Sequence, residues 1–212
     1  MTLQDFDSQH ELAKLVVPAN PRLKLSSNGP SREDAAATYE LAERLVAAGI
    51  KPGSLVFGGD HRSIVGFEFG RRLNLHVTGL KVTSSECLKY PRYKAYQDAE
   101  IRVQEWGLQV IHRFLCEKDS HSPVWSESAE AFAKRFDGIW EEEHPEPTIL
   151  LASLEAMVYV YYTKVIGIGQ FQIPHDRHAW LPTAGAGIAI GKDGLAVEFD
   201  RDLNLVGAPA AV

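Results

Sequence analysis

The run from Pro52 to Val82, PGSLVFGGDHRSIVGFEFGRRLNLHVTGLKV, constrains this chain most, because two different periodicities can be laid on it. Val65, Phe69 and Leu73 recur at i, i+4 and i+8, the stripe of an amphipathic helix. On that reading residues 54–57 are a strand, 61–73 a helix and 75–82 a second, parallel strand. Asp60 and His61 then follow the carboxyl end of a strand, where open α/β sheets bind ligands. Val65, Phe67 and Phe69 also alternate with Gly66, Glu68 and Gly70, the period of a half-buried strand. This second reading makes an antiparallel meander of three strands that turns at 58–62 and 70–74.

A short internal repeat favours the meander. Residues 68–75 read EFGRRLNL and residues 198–205 read EFDRDLNL, with six of eight positions identical. The second copy sits in a clear meander: 187–190, a Gly191-Lys192-Asp193-Gly194 turn, 195–199, a turn at 200–202, then 203–206. Asp-Gly between apolar runs is a strong hairpin signal. By analogy the first copy is expected to be strand, turn, strand. The fold class expected is α+β, with helices packed on an antiparallel sheet carrying two β-meander segments. A doubly wound α/β arrangement is the alternative.

Elsewhere the pattern is helical. Residues 5–16 suggest a short helix using Phe6, Leu12, Leu15 and Val16, followed by a short strand at 22–25. Ser31 and Asp34 resemble a capping box for a helix with Tyr39, Ala42, Leu45 and Val46 inward, ended by Gly49 and Pro52. Residues 94–117 place Tyr96, Ala99, Val103, Trp106, Val110 and Phe114 on one face. A further helix from about Ser126 turns Ala129, Phe132, Ala133, Phe136 and Trp140 inward. Thr148 is positioned to cap a largely buried helix over 149–164, although its β-branched and aromatic residues also suit a strand. An extended piece over 167–174 comes next.

The chain has 212 residues, within the size of one domain, so 1–212 is expected to be a single domain. Its apolar stretches are too short to span a bilayer, and the opening MTLQDFDSQH is acidic where an export signal is basic and then apolar. Cys87 and Cys116 form neither a disulfide framework nor a metal knuckle. A cytoplasmic protein with free thiols is expected. The net charge of −6 argues against general nucleic-acid binding.

Two clusters carry the reactive side chains. The first is Gly58-Gly59-Asp60-His61, followed by Arg62. The second is Pro174-His175-Asp176-Arg177-His178, whose histidines are spaced to point the same way on one helical turn. If the two loops meet, Asp60, His61, His175, Asp176 and His178 form an Asp-oriented histidine base or a mixed His/carboxylate site. His61, His175 and His178 are then the metal ligands and a divalent transition metal the cofactor. Arg62, Arg71 and Arg72 are candidate contacts to an anionic substrate, through bidentate guanidinium hydrogen bonds. The nearby serines and Cys87 lie in no nucleophile-elbow motif.

Over residues 55–64, Gly-Gly-Asp-His after an apolar strand resembles the segment of the arginase and agmatinase family in which the histidine binds manganese. That resemblance implies a metal role for His61. Arg62 interrupts the family's motif, and the chain has no Asp-x-His-x-Asp segment to complete the ligand set.

The sequence thus reads as a small-molecule hydrolase with a His/Asp or His/carboxylate-metal site. The competing reading is an acidic binding protein of the immunity type that neutralises a basic protein partner. It rests on the net charge and on the acidic runs 141–143 and 198–202.

Overall fold

The computed structural model describes residues 1–19, 32–58, 63–88, 109–116, 127–140, 145–174, 180–183 and 185–210, with 32–35, 63–64 and 208–210 described by backbone alone. The described elements, in order, are α1 (Leu3–His10), β1 (Leu12–Pro18), α2 (Arg32–Ala47), β2 (Ser54–Gly58), α3 (Ser63–Asn74), β3 (Lys81–Ser85), α4 (Gln109–Cys116), α5 (Ala129–Trp140), β4 (Thr148–Ala152), α6 (Leu154–Val160), β5 (Gly187–Gly191), β6 (Ala196–Phe199) and β7 (Leu205–Ala210). One sheet of seven strands runs β3-β2-β4-β1-β5-β6-β7. Neighbours are parallel from β3 to β1 and antiparallel from β1 to β7.

Side-chain alternation along the strands divides the core in two. Leu15, Val17, Leu55, Phe57, Ile149 and Leu151 face the layer that includes α1, α2 and α3. Val16, Val56, Leu150 and Ala152 face the opposite layer, with α4, α5 and α6. Helices therefore cover both faces, and the architecture is α/β with a mixed sheet rather than α+β. Each fully buried Leu or Phe in these layers contributes about 1.5–3 kcal/mol relative to exposure. No described helix is long and apolar enough to cross a membrane.

The first meander is absent: residues 54–85 form β2, α3 and β3, with β2 and β3 parallel. The helical period prevails because Val65, Phe69 and Leu73 are all buried, whereas Phe67, which a strand would put beside them, is 63% exposed. Gly66 and Gly70 let α3 lie close on the sheet, against Phe57 and against Leu55 with Val82.

The second meander forms as expected, in β5, β6 and β7. The repeated octapeptide therefore folds in two ways, and its third position explains the difference. Asp200 accepts hydrogen bonds from the backbone N–H groups of Asp202 and Asn204 at 2.8 and 2.9 Å, closing a turn. Gly70 stands at that position in the other copy and offers no side chain to close one.

Two expected helices also change type. Residues 5–16 divide into α1, capped by a Thr2–Asp5 capping box, and β1, with Glu11 at φ 48° between them. Residues 148–152 form β4, which pairs in parallel with both β1 and β2. A central parallel strand is buried on both faces and reads as an unbroken apolar run, which periodicity cannot tell from a buried helix. Ser153 then caps α6, its hydroxyl accepting the Ala156 N–H at 3.3 Å. The segment expected to be extended over 167–174 holds a 3₁₀ turn at Gln170–Gln172. The helix expected over 94–117 is described only as α4, and the short strand expected at 22–25 lies outside the described residues.

Candidate functional site

The strand order places one crevice above the others in chemical interest. From β1 the chain passes through α2, β2 and α3 to the edge strand β3, with α2 and α3 on one face. It returns by α4 and α5 on the other face to insert β4 between β2 and β1. The helices thus change faces around β4, and open α/β sheets bind ligands at the carboxyl ends of the strands flanking such a point.

At those ends the described residues are Pro18 closing β1 and Ala19 after it, Gly58 closing β2, and Ser153, Leu154 and Glu155 after β4. β1 and β4 leave the sheet together, since the Ala19 N–H donates to the Ala152 carbonyl at 2.9 Å. Leu154 is apolar, and the Ser153 hydroxyl is engaged as a helix cap. Glu155 is 1% exposed, and neither of its carboxylate oxygens has a hydrogen-bond partner. A buried carboxylate without a partner costs several kcal/mol, so its position at this crevice is a functional signal. Its place in the first turn of α6 offsets only about 0.3–1 kcal/mol through the helix dipole. On the neighbouring strand, α3 starts at Ser63, directly after Arg62 in sequence, and its first turn contains no acid.

Asp60, His61, Arg62, His175, Asp176 and His178 all lie outside the described residues. In sequence the first three follow Gly58 at the carboxyl end of β2. Arg71 and Arg72 are placed elsewhere. They end α3, which runs back to the amino-terminal edge of the sheet, where β3 begins. There Arg71 forms a bidentate pair with Glu68, at 2.8 and 2.6 Å, and Arg72 bridges Glu68 and Glu43 while its guanidinium lies over Tyr39. The guanidiniums hold the Glu68 carboxyl down at about 2. These two arginines serve a surface ion-pair network, not the strand ends.

Trp180 follows the second histidine cluster after Ala179 in sequence. Its ring stacks on Tyr161 with centroids 4.0 Å apart and planes 5° from parallel. Its N–H donates to the Tyr162 hydroxyl at 2.8 Å, and its carbonyl accepts from His112 Nε2 at 3.0 Å. The Trp180 side chain also donates to Glu198, whose pKa is nevertheless raised because burial outweighs that hydrogen bond. Since β5 is antiparallel to β1, the start of β5 lies toward the carboxyl end of β1. Of these residues, sequence reasoning noted Glu198 only within an acidic run and Tyr161 and Tyr162 only within an apolar segment; His112 and Trp180 were not singled out. His112 and Glu198 each sit among core-facing apolar residues, and that misfit was the available signal.

Among the described residues no group of three His, Cys, Asp or Glu side chains is placed to hold a metal ion. Cys87 and Cys116 are free thiols, as expected.

Comparison with solved structures places the fold. A mycobacterial glucosyl-3-phosphoglycerate phosphatase superposes with a TM-score of 0.56 at 14% identity, over 95% of this chain and 97% of its own. An Escherichia coli K-12 protein provisionally named as an alpha-ribazole-5'-P phosphatase gives 0.58 at 12% identity, over 91% and 98%. A structure named mycobacterial hydrolase 2 gives 0.51 at 14%, over 92% and 85%. The chain shares their fold. No protein-family model matches the sequence, and no curated protein sequence matches it at a significant level.

Proposed function

We propose that this chain is a small-molecule hydrolase of the phosphatase type, acting on a small phosphorylated compound at the carboxyl ends of β1, β2 and β4. The observation that carries this reading is the superposition of nearly the whole chain on two proteins named as phosphatases. The local arrangement supports it. Arg62 immediately precedes a helix whose start faces the carboxyl end of β2 and is free of acidic residues. Helix N-termini and guanidinium groups both suit a phosphate. Asp60 and His61 are then candidates for proton transfer or nucleophilic attack, with His175, Asp176 and His178 as candidates from the second loop. Arg71 and Arg72 have no part in this reading, and it requires no metal.

A specific observation favours a second reading, in which the compound is bound without being turned over. The two central strand ends offer Pro18-Ala19 and Ser153-Leu154, and none of these provides a free nucleophile or base. The immunity-type alternative gains no support from the 198–202 run. Glu198 is half-buried against Trp180, Asp200 closes a turn and Arg201 pairs with Glu40.

Phosphate release from a panel of sugar phosphates and p-nitrophenyl phosphate separates the two readings. Turnover abolished by His61→Ala and Arg62→Ala supports the hydrolase. Saturable binding of the same compounds without release supports the binder. Neither binding nor release would overturn both.

A further inference from the structure

The two edges of the described sheet differ. β7 is interrupted: its register with β6 shifts between Ala196 and Glu198, Gly207 stands at φ 80°, and Pro209 lacks an N–H. Bulges and prolines of this kind keep an edge from pairing with another chain. β3, at the other edge, has neither. It pairs with β2 over Lys81–Ser85 without a register shift and contains no proline. One hydrogen bond fixes which of its groups face outward. The Lys81 N–H donates to the Gly53 carbonyl, on the β2 side, at 3.0 Å. Backbone groups alternate sides along a strand, so Thr83 also faces β2, whereas Val82 and Ser84 direct theirs away from the sheet.

This edge is self-complementary. Turned about a two-fold axis at Thr83, a second copy of β3 runs antiparallel to the first, with Val82 opposite Ser84 and Lys81 opposite Ser85. The outward groups of Val82 and Ser84 then meet as hydrogen-bonded pairs, and Thr83 meets its own copy in the closer, non-hydrogen-bonded pair. The one charge on β3, Lys81, faces a serine, so like charges are not opposed.

The flank of α3 completes the surface. Arg72 turns toward α2, where it meets Glu43 and Tyr39. Phe67, 63% exposed, lies on the side away from α2, one turn from Arg71, whose charge is matched by Glu68. α3 sits over β2 and β3, since a Cβ at Gly70 would touch Leu55 and Val82. With strands about 4.8 Å apart, two α3 helices related by that axis run about 10 Å apart, within helix packing distance. Contact between them is needed, because strand pairing alone falls short of the ~800 Å² each partner buries in a standard interface.

We propose that β3 and α3 form the interface of a two-fold homodimer, in which the sheets of two copies join across β3.

Gel filtration with light scattering at micromolar concentration, with circular dichroism alongside, tests this on the wild type, Phe67→Glu, Ser84→Pro and Thr83→Cys. The wild type is expected at twice the 23.5 kDa of one chain. Phe67→Glu changes an exposed helix position and is expected to fold and run as a monomer. Ser84→Pro removes an outward N–H that β2 does not use and is expected to do the same; if it does not fold, Phe67→Glu decides. Thr83→Cys is expected to form a disulfide with its copy on mild oxidation, since the Cα atoms of such a pair lie about 4.5 Å apart. The wild type, which keeps Cys87 and Cys116, is expected to give no such cross-link. A monomeric wild type overturns the second copy as the occupant of this edge. A dimer that survives Phe67→Glu while Thr83→Cys fails to cross-link overturns the interface, because the copies then meet elsewhere.

Discussion

The backbone N–H of Ala19 donates to the carbonyl of Ala152 at 2.9 Å, so β1 and β4 end side by side at the centre of the seven-stranded sheet. β4 turns at once into α6 through the Ser153 cap, with Glu155 buried in the first turn of that helix.

That cap is directly testable. Ser153 is 2% exposed, and its hydroxyl accepts the Ala156 N–H. Ser153→Ala is expected to lower the stability by about 1 kcal/mol, the usual worth of an N-cap. Urea denaturation followed by circular dichroism measures it, and an unchanged midpoint would show that α6 does not depend on the cap.

The packing of α3 gives a second test with opposing terms. In a helix interior Gly→Ala is normally favourable by up to about 1 kcal/mol. At Gly66, however, an added Cβ would run into the Phe57 ring. Overpacking of that kind costs about 1–3 kcal/mol, so Gly66→Ala is expected to be destabilising or neutral. A clear rise in melting temperature would contradict the close approach of α3 to β2.

These two segments also show what was legible in the sequence. The C-terminal meander was readable because Asp193-Gly194 and Asp200 are local turn chemistry, set by neighbours in sequence. α2 was readable from its stop signal, Gly49 at φ 78°. β2-α3-β3 was misjudged because Val65 and Phe69 satisfied both periods, and only burial separated Phe67 from its neighbours. β4 was hidden for a different reason: a strand buried on both faces has no alternation to show. For the site, the Gly58–Arg62 stretch was legible as a reactive turn after a strand, whereas Glu155 looked like a break in an apolar run. Its meaning depends on partners it lacks, which no sequence pattern displays.

Trp180 ties the segment after the second histidine cluster to α4 and to the turn that follows α6. Tyr162→Phe removes the acceptor of the Trp180 N–H, which is partly buried. The cost expected is about 1–3 kcal/mol, that of a donor left unsatisfied. Chemical denaturation of the variant checks it.

Glu198 gives the protein a pH-dependent component. Its pKa is raised by burial, so the folded state holds a proton that the unfolded state has released. Stability from this group is full below the ordinary carboxyl range and is lost as pH rises through the folded value. Glu198→Gln keeps an acceptor for Trp180 and cannot titrate. Melting temperatures across the acidic-to-neutral range are therefore expected to fall less with rising pH in the variant than in the wild type. Parallel curves would show that Glu198 titrates normally.

The most direct measurement is hydrogen–deuterium exchange of the wild-type protein with and without saturating orthophosphate, read peptide by peptide. A site at the carboxyl ends of the parallel strands predicts slowed exchange in peptides covering 58–66 and 153–157, with none at 71–77, where Arg71 and Arg72 end α3. Protection centred on Arg71 and Arg72, or no protection anywhere, would contradict a site at those strand ends.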